Sequence, residues 1–133
     1  MVIDSSIFVA IFLAEETWEL LIEEISKAPE KSISAFTYVE TAVVIDKKLG
    51  EDGVSAFKHF IDEAKINIIE VTADIASEAF LAYRKFGKGN HKAGLNLGDV
   101  FSYATAKLTG NPLFFKGDDF ALTDIAMIRA DCI

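Results

Sequence analysis

With 133 residues, 51% of them hydrophobic, the chain is long enough to bury a core without disulfides or a structural metal, and residues 1–133 read as one domain. A formal net charge of −8 argues against a protein that meets nucleic acid through a broad basic face, and leaves open one that reaches phosphates through bound cations. The single cysteine, Cys132, rules out an internal disulfide and fits a reducing, cytoplasmic setting. The apolar start is interrupted by Asp4 and has no basic leader, and no stretch approaches the ~20 apolar residues of a membrane span.

In chain order, "MVID" reads as a short strand, and "SSIFVAIFLAEE" as the turn and helix after it. In "TWELLIEEISKA" the spacing of Trp18, Leu21, Ile22 and Ile25 predicts an amphipathic helix. "KSISAF" is a second strand, and "TYVETAVVIDKKLG" a helix ended by Gly50. "EDGVSAFKHFIDEA" makes a further helix with Val54, Phe57, Ile61 and Ala64 on one side. "INIIEV" is a strand by its β-branched content. The next helix has Asp74 as N-cap and a stripe of Ala76, Ala79, Phe80 and Tyr83. "GKGNHKAGLN" is a loop, "LGDVFSYATAKLTG" a helix closed by Gly110, "LFF" a buried strand and "AMIRA" an edge strand. Strands alternating with helices of this length imply a parallel sheet covered on both faces.

Most acids fall on solvated helix faces, but three stand alone in apolar stretches. Asp4 is the only charge before Glu15, Glu40 the only one between Lys31 and Asp46, and Asp99 the only one between Lys92 and Lys107. Glu40 also has Phe36, Val43 and Val44 at helical spacing. A lone carboxylate in such a place costs several kcal/mol unless something positive compensates it. Asp118 and Asp119 follow the strand "LFF" directly. In open parallel sheets, sites form beyond the carboxyl ends of the strands, and all of these acids are predicted to lie on that side. Carboxylates with no His or Cys among them make a hard-oxygen site suited to Mg²⁺ or Mn²⁺. Taken singly, each acid has a plainer reading: Asp4 as a helix cap, Asp99 as a first-turn acid, the Asp pair as a turn. The case for a site rests on the set.

The stretches "MVIDSSIFVAIF", "ISAFTYVETAVVI", "GLNLGDVFSYATAK" and "LFFKGDDFALTDI" resemble the four signature blocks of PIN-domain proteins, in order and at the right spacing. They are most similar to the VapC toxins of type II toxin–antitoxin pairs. The resemblance implies a three-layer α/β/α sandwich with a central parallel sheet. It further implies a Mg²⁺- or Mn²⁺-dependent endoribonuclease whose acids match Asp4, Glu40, Asp99 and Asp119. Of the pair, Asp119 directly precedes the Phe, as the family pattern requires; Asp118 stands beside it as the alternative ligand. Ser5 or Ser6 matches the small hydroxyl residue after the first Asp and would support the site. A cognate antitoxin and a homodimer are likewise implied.

Arg84, Lys85, Lys88, His91 and Lys92 gather directly upstream of Asp99. They read either as an RNA-docking loop or as a solvated helix end. Lys116 would neutralise the acids or touch phosphate, and His59 is plain surface. Two rivals fit less well. A haloacid-dehalogenase-type phosphotransferase needs an Asp where this chain has Ser6. A receiver-type signalling module leaves Glu40 and Asp99 without a role. A PIN-fold binding domain without catalysis is the remaining alternative, although no acid has been lost.

Overall fold

The computed structural model describes residues 1–133. Five short strands, β1 (Val2–Ile3), β2 (Ser32–Ser34), β3 (Asn67–Ile69), β4 (Leu113–Phe115) and β5 (Met127–Arg129), form one sheet in the order β3-β2-β1-β4-β5. Every neighbouring pair is parallel. Because successive side chains in a strand point to opposite faces, Val2, Leu113 and Phe115 belong to one core and Ile3 and Phe114 to the other.

The Ile3 side is covered by α1 (Ser5–Phe12), α2 (Trp18–Lys27) and the later part of α3 (Ala35–Glu63). Phe8 and Phe12 meet Phe57 and Phe60 edge to face there, the arrangement the ring quadrupole favours. The Val2 side is covered by α4 (Ala73–Phe86) and α5 (Leu97–Thr109). Helices thus lie on both faces of a parallel sheet, giving the α/β/α sandwich expected from the alternation of elements. None of these helices is long and apolar enough to cross a membrane.

One local expectation is met and two are corrected. The two helices predicted on either side of Gly50 are present and follow each other within α3, divided by a kink at Gly50, whose φ of 69° is open to glycine without strain. The N-cap of α4 is Thr72, whose hydroxyl accepts from the Ile75 amide at 3.2 Å; Asp74 lies inside the first turn. The buried stripe of α4 is Ile75, Ala79, Ala82 and Phe86, while Ala76 and Phe80 face outward, Phe80 with 62% exposure. Two overlapping apolar stripes run along this helix. Packing against α5 buries the one whose small Ala79 and Ala82 let the helices approach.

Candidate active site

The strand order decides where a site can form. From β1 the chain moves outward to β2 and β3, then returns to place β4 on the other side of β1. The reversal opens a crevice beyond the carboxyl ends of β1 and β4, where α/β sheets bind ligands. Asp4 follows β1 directly, and the Lys116–Asp119 segment follows β4 directly. Glu40 stands in the second turn of α3, which leaves β2 on the same side, and Asp99 in the first turn of α5.

Asp4 serves two purposes. It is the N-cap of α1, with Oδ2 accepting from the Ser6 amide at 3.1 Å and from the Ser6 hydroxyl at 2.8 Å. Its Oδ1 accepts from the Ser102 hydroxyl of α5 at 2.7 Å. The Ser6 hydroxyl in turn accepts from the Lys116 amide at 3.0 Å, tying the start of the Asp118–Asp119 loop to Asp4. Asp99 also caps: Asn96 Oδ1 accepts from the Asp99 amide at 2.8 Å, and Asp99 Oδ2 accepts from the Asn96 amide at 2.9 Å, a reciprocal capping box. The plain readings of Asp4 as a helix cap and of Asp99 as a first-turn acid are therefore correct, and both carboxylates are buried, at 4% and 8% exposure.

Electrostatics show that the acids meet. Burial pushes the Asp99 carboxyl up to about 7, the Asn96 amide opposes this, and Asp4, Asp119 and Glu40 add to it. Burial also raises Glu40, with the Ser5 hydroxyl pulling the other way and Asp4 adding repulsion. Asp119, although exposed, is raised by partial desolvation, then by Asp4 and Asp118. Asp99 thus feels Asp4, Asp119 and Glu40, while Glu40 and Asp119 each feel Asp4. The expectation that apolar neighbours bury Glu40 holds only in part, since Glu40 is half-buried and Val43 is exposed. Its carboxylate instead lies against Gly98 in the first turn of α5, where any β-carbon would overlap Oε2.

Asp118 and Asp119 are divided by their partners. Asp118 accepts from Arg129 Nη2 at 2.8 Å and is 93% exposed, whereas Asp119 has no protein donor and couples to the other acids. The loop is anchored by Phe120, buried edge-on against Phe115, and by a hydrogen bond from the Tyr103 phenol to Asp124. Of the predicted basic cluster, Lys85 pairs with Asp124 at 3.5 Å, and Arg84 lies over the Phe80 ring at 5.9 Å. His91 Nδ1 accepts from the Ala93 amide at 2.9 Å, while its ring meets Phe86. Lys88 and Lys92 are exposed. Lys116 pairs with Glu15 at 2.8 Å, so its charge is directed away from the carboxylates. His59 is exposed.

The sequence reading missed Ser102, Thr37 and Gly98. Each sits one residue or three residues from an acid in the same helix, and that spacing was the available signal. As the side chains stand, no three of the acids are close enough together to hold a metal ion by themselves. An open, all-oxygen set fits Mg²⁺, which keeps several waters and commonly takes one or two carboxylates together with phosphate oxygens. Asp99 Oδ1 and both Asp119 oxygens are free of protein donors to serve such an ion.

Comparison with known proteins identifies the family to which this parallel sandwich belongs. Residues 1–126 match the PIN domain, and the chain belongs to the PIN-domain family, among its VapC ribonucleases. It is 47% identical over 129 residues to ribonuclease VapC of Mycolicibacterium smegmatis, covering 97% of this chain and 100% of that protein. It is 43% identical to ribonuclease VapC30 of Mycobacterium tuberculosis, covering 96% and 98%. Among solved structures, Mycobacterium tuberculosis VapC20, described as a sarcin–ricin loop cleaving toxin, superposes with a TM-score of 0.79 at 20% identity, covering 96% and 98%. A toxin–antitoxin complex from Klebsiella pneumoniae gives 0.71 at 23% identity, covering 96% and 94%. At these identities the two structures speak for the fold.

Proposed function

We propose that the chain is the toxin of a toxin–antitoxin pair, a single PIN domain that cleaves RNA internally using Mg²⁺ or Mn²⁺ held at Asp4, Glu40, Asp99 and Asp119. One observation carries this reading: Asp4, Glu40, Asp99 and Asp119 are brought from four separate segments to the carboxyl end of the sheet, Asp4 acts on each of the other three, and no His, Cys or Lys is among the groups that act on them. A bound divalent ion would supply an activated water and stabilise charge on the phosphodiester. The protein's own part is to hold the oxygens that receive the ion. Asp4 is oriented by Ser6 and Ser102, Asp99 by Asn96, and Glu40 by the space above Gly98. Asp119 is offered by a loop anchored through Phe120.

The net charge of −8 makes RNA docking depend on local cations. Lys88 and Lys92, with Arg84 beside them, lie on the loop that precedes Asp99 and are the groups placed to follow a phosphate backbone. Lys85 and Lys116 are committed to Asp124 and Glu15 and contribute less. The same acidic crevice would accept an Arg of the antitoxin, which matches carboxylates bidentately. A homodimer would use the apolar surface of α4 and α5, where Phe80, Leu81 and Leu97 are exposed. Such a protein would work in the cytoplasm.

The test is cleavage of total cellular RNA by antitoxin-free protein with Mn²⁺, alongside Asp4→Asn. Discrete fragments that need the metal, carry a 5′-phosphate on the downstream product and vanish in the variant are expected. A 2′,3′-cyclic phosphate would refute attack by water. No cleavage at all would leave a non-catalytic binding domain.

A further inference from the structure

Beneath the acids lies a layer of buried hydroxyls whose hydrogen bonds have an unusual destination. Thr41 and Thr105, in the same two helices, each donate to the carbonyl four residues back, at 2.7 Å. That is how a helix ordinarily satisfies a buried threonine. Thr37 and Ser102 do otherwise. Both are buried, at 0% and 1% exposure, and their oxygens are 3.0 Å apart, bridging α3 and α5. Ser102 then reaches Asp4 Oδ1 at 2.7 Å.

The direction of this chain follows from proton counting. An ionised carboxylate only accepts, so the single Ser102 hydrogen is spent on Asp4, and the 3.0 Å contact must use the Thr37 hydrogen. The order is Thr37 to Ser102 to Asp4, with each bond polarising the next. Thr37 lies one turn before Glu40 in α3, and Ser102 one turn after Asp99 in α5. The relay therefore joins the three elements that carry Asp4, Glu40 and Asp99.

We propose that Thr37 and Ser102 are positioning residues: they fix the Asp4 carboxylate, and with it the relative placement of α3 and α5, so that the acids are preorganised for a divalent cation. This rests on the acid-site reading above. Partners that orient metal-holding groups typically change metal affinity 10- to 100-fold when removed.

The experiment measures Mn²⁺ binding directly, by calorimetry and by electron paramagnetic resonance of free Mn²⁺, together with thermal unfolding in EDTA. Ser102→Ala is expected to weaken Mn²⁺ binding about tenfold. Thr37→Val keeps the side-chain shape but loses the hydrogen, and should weaken binding several-fold. Thr37→Ser keeps the hydroxyl and loses a methyl group, and should bind as the wild type does even where its melting temperature falls. In the Ser102→Ala background, Thr37→Val should have no further effect, because the relay is already cut. The proposal is overturned if Ser102→Ala and Thr37→Val bind Mn²⁺ normally while Asp4→Asn does not, or if Thr37→Ser loses as much as Thr37→Val, which would indicate packing. Absence of Mn²⁺ binding by the wild type would refute the acid site itself, and the relay with it.

Discussion

Asp99→Asn separates the cost of the site from its use. Asp99 is 8% exposed, and its carboxyl is displaced from 3.8 to about 7, first by burial and then by its acidic neighbours. A carboxyl with a folded pKa above its unfolded one binds more protons in the native state between the two values. Stability therefore falls as pH rises from about 4 to about 7, and the penalty is fully present above that. A displacement of this size corresponds to at most about 4 kcal/mol at pH 8. Relaxation of the neighbouring carboxylates and solvent lowers this, leaving an expected gain of about 2 kcal/mol for Asn, or roughly 5–8 °C in melting temperature. The side-chain carbonyl of Asn still accepts from the Asn96 amide, so the capping box survives. Unfolding followed by circular dichroism in EDTA at pH 8, 6.5 and 5 should show the variant ahead at pH 8, with its lead shrinking toward acid. With Mn²⁺ the order should reverse, since only the wild type gains stability by binding. A variant no more stable than wild type in EDTA at pH 8, or a lead that grows on acidification, would mean that the Asp99 charge is not a burden to the fold.

Two further substitutions test how the acids are held. Gly98→Ala should gain helix propensity, about 0.5–1 kcal/mol, but its methyl takes the space of the Glu40 carboxylate. Initial rates should fall tenfold or more while melting shifts by only a few degrees; retained activity would show that Glu40 does not act from this position. Asp118→Asn loses only an exposed pair with Arg129, worth about 0–1 kcal/mol, and should cleave within about threefold of wild type. Asp119→Asn should lose roughly 100-fold, on the scale of a positioned charged group, and equal losses in the two variants would overturn their separation.

Much of this protein can be read from its residues in order. Alternating strand and helix patterns implied the parallel sandwich, because a sheet apolar on both faces must be covered on both. Lone charges in apolar stretches singled out Asp4, Glu40 and Asp99, because an isolated buried carboxylate is costly enough to require a reason. Local chemistry was equally legible at Gly50 and Gly110, where a positive φ suits glycine. The tertiary structure alone decided matters that depend on neighbours distant in the chain. It chose between two equally regular stripes on α4, and it sent Asp118 to Arg129 while leaving Asp119 to the crevice. It also turned Lys116 toward Glu15 and joined Thr37 to Ser102 across 65 positions. Periodicity reports which face of an element is apolar; which polar groups meet depends on strand order and helix packing, and those arise only when the whole chain closes around the sheet.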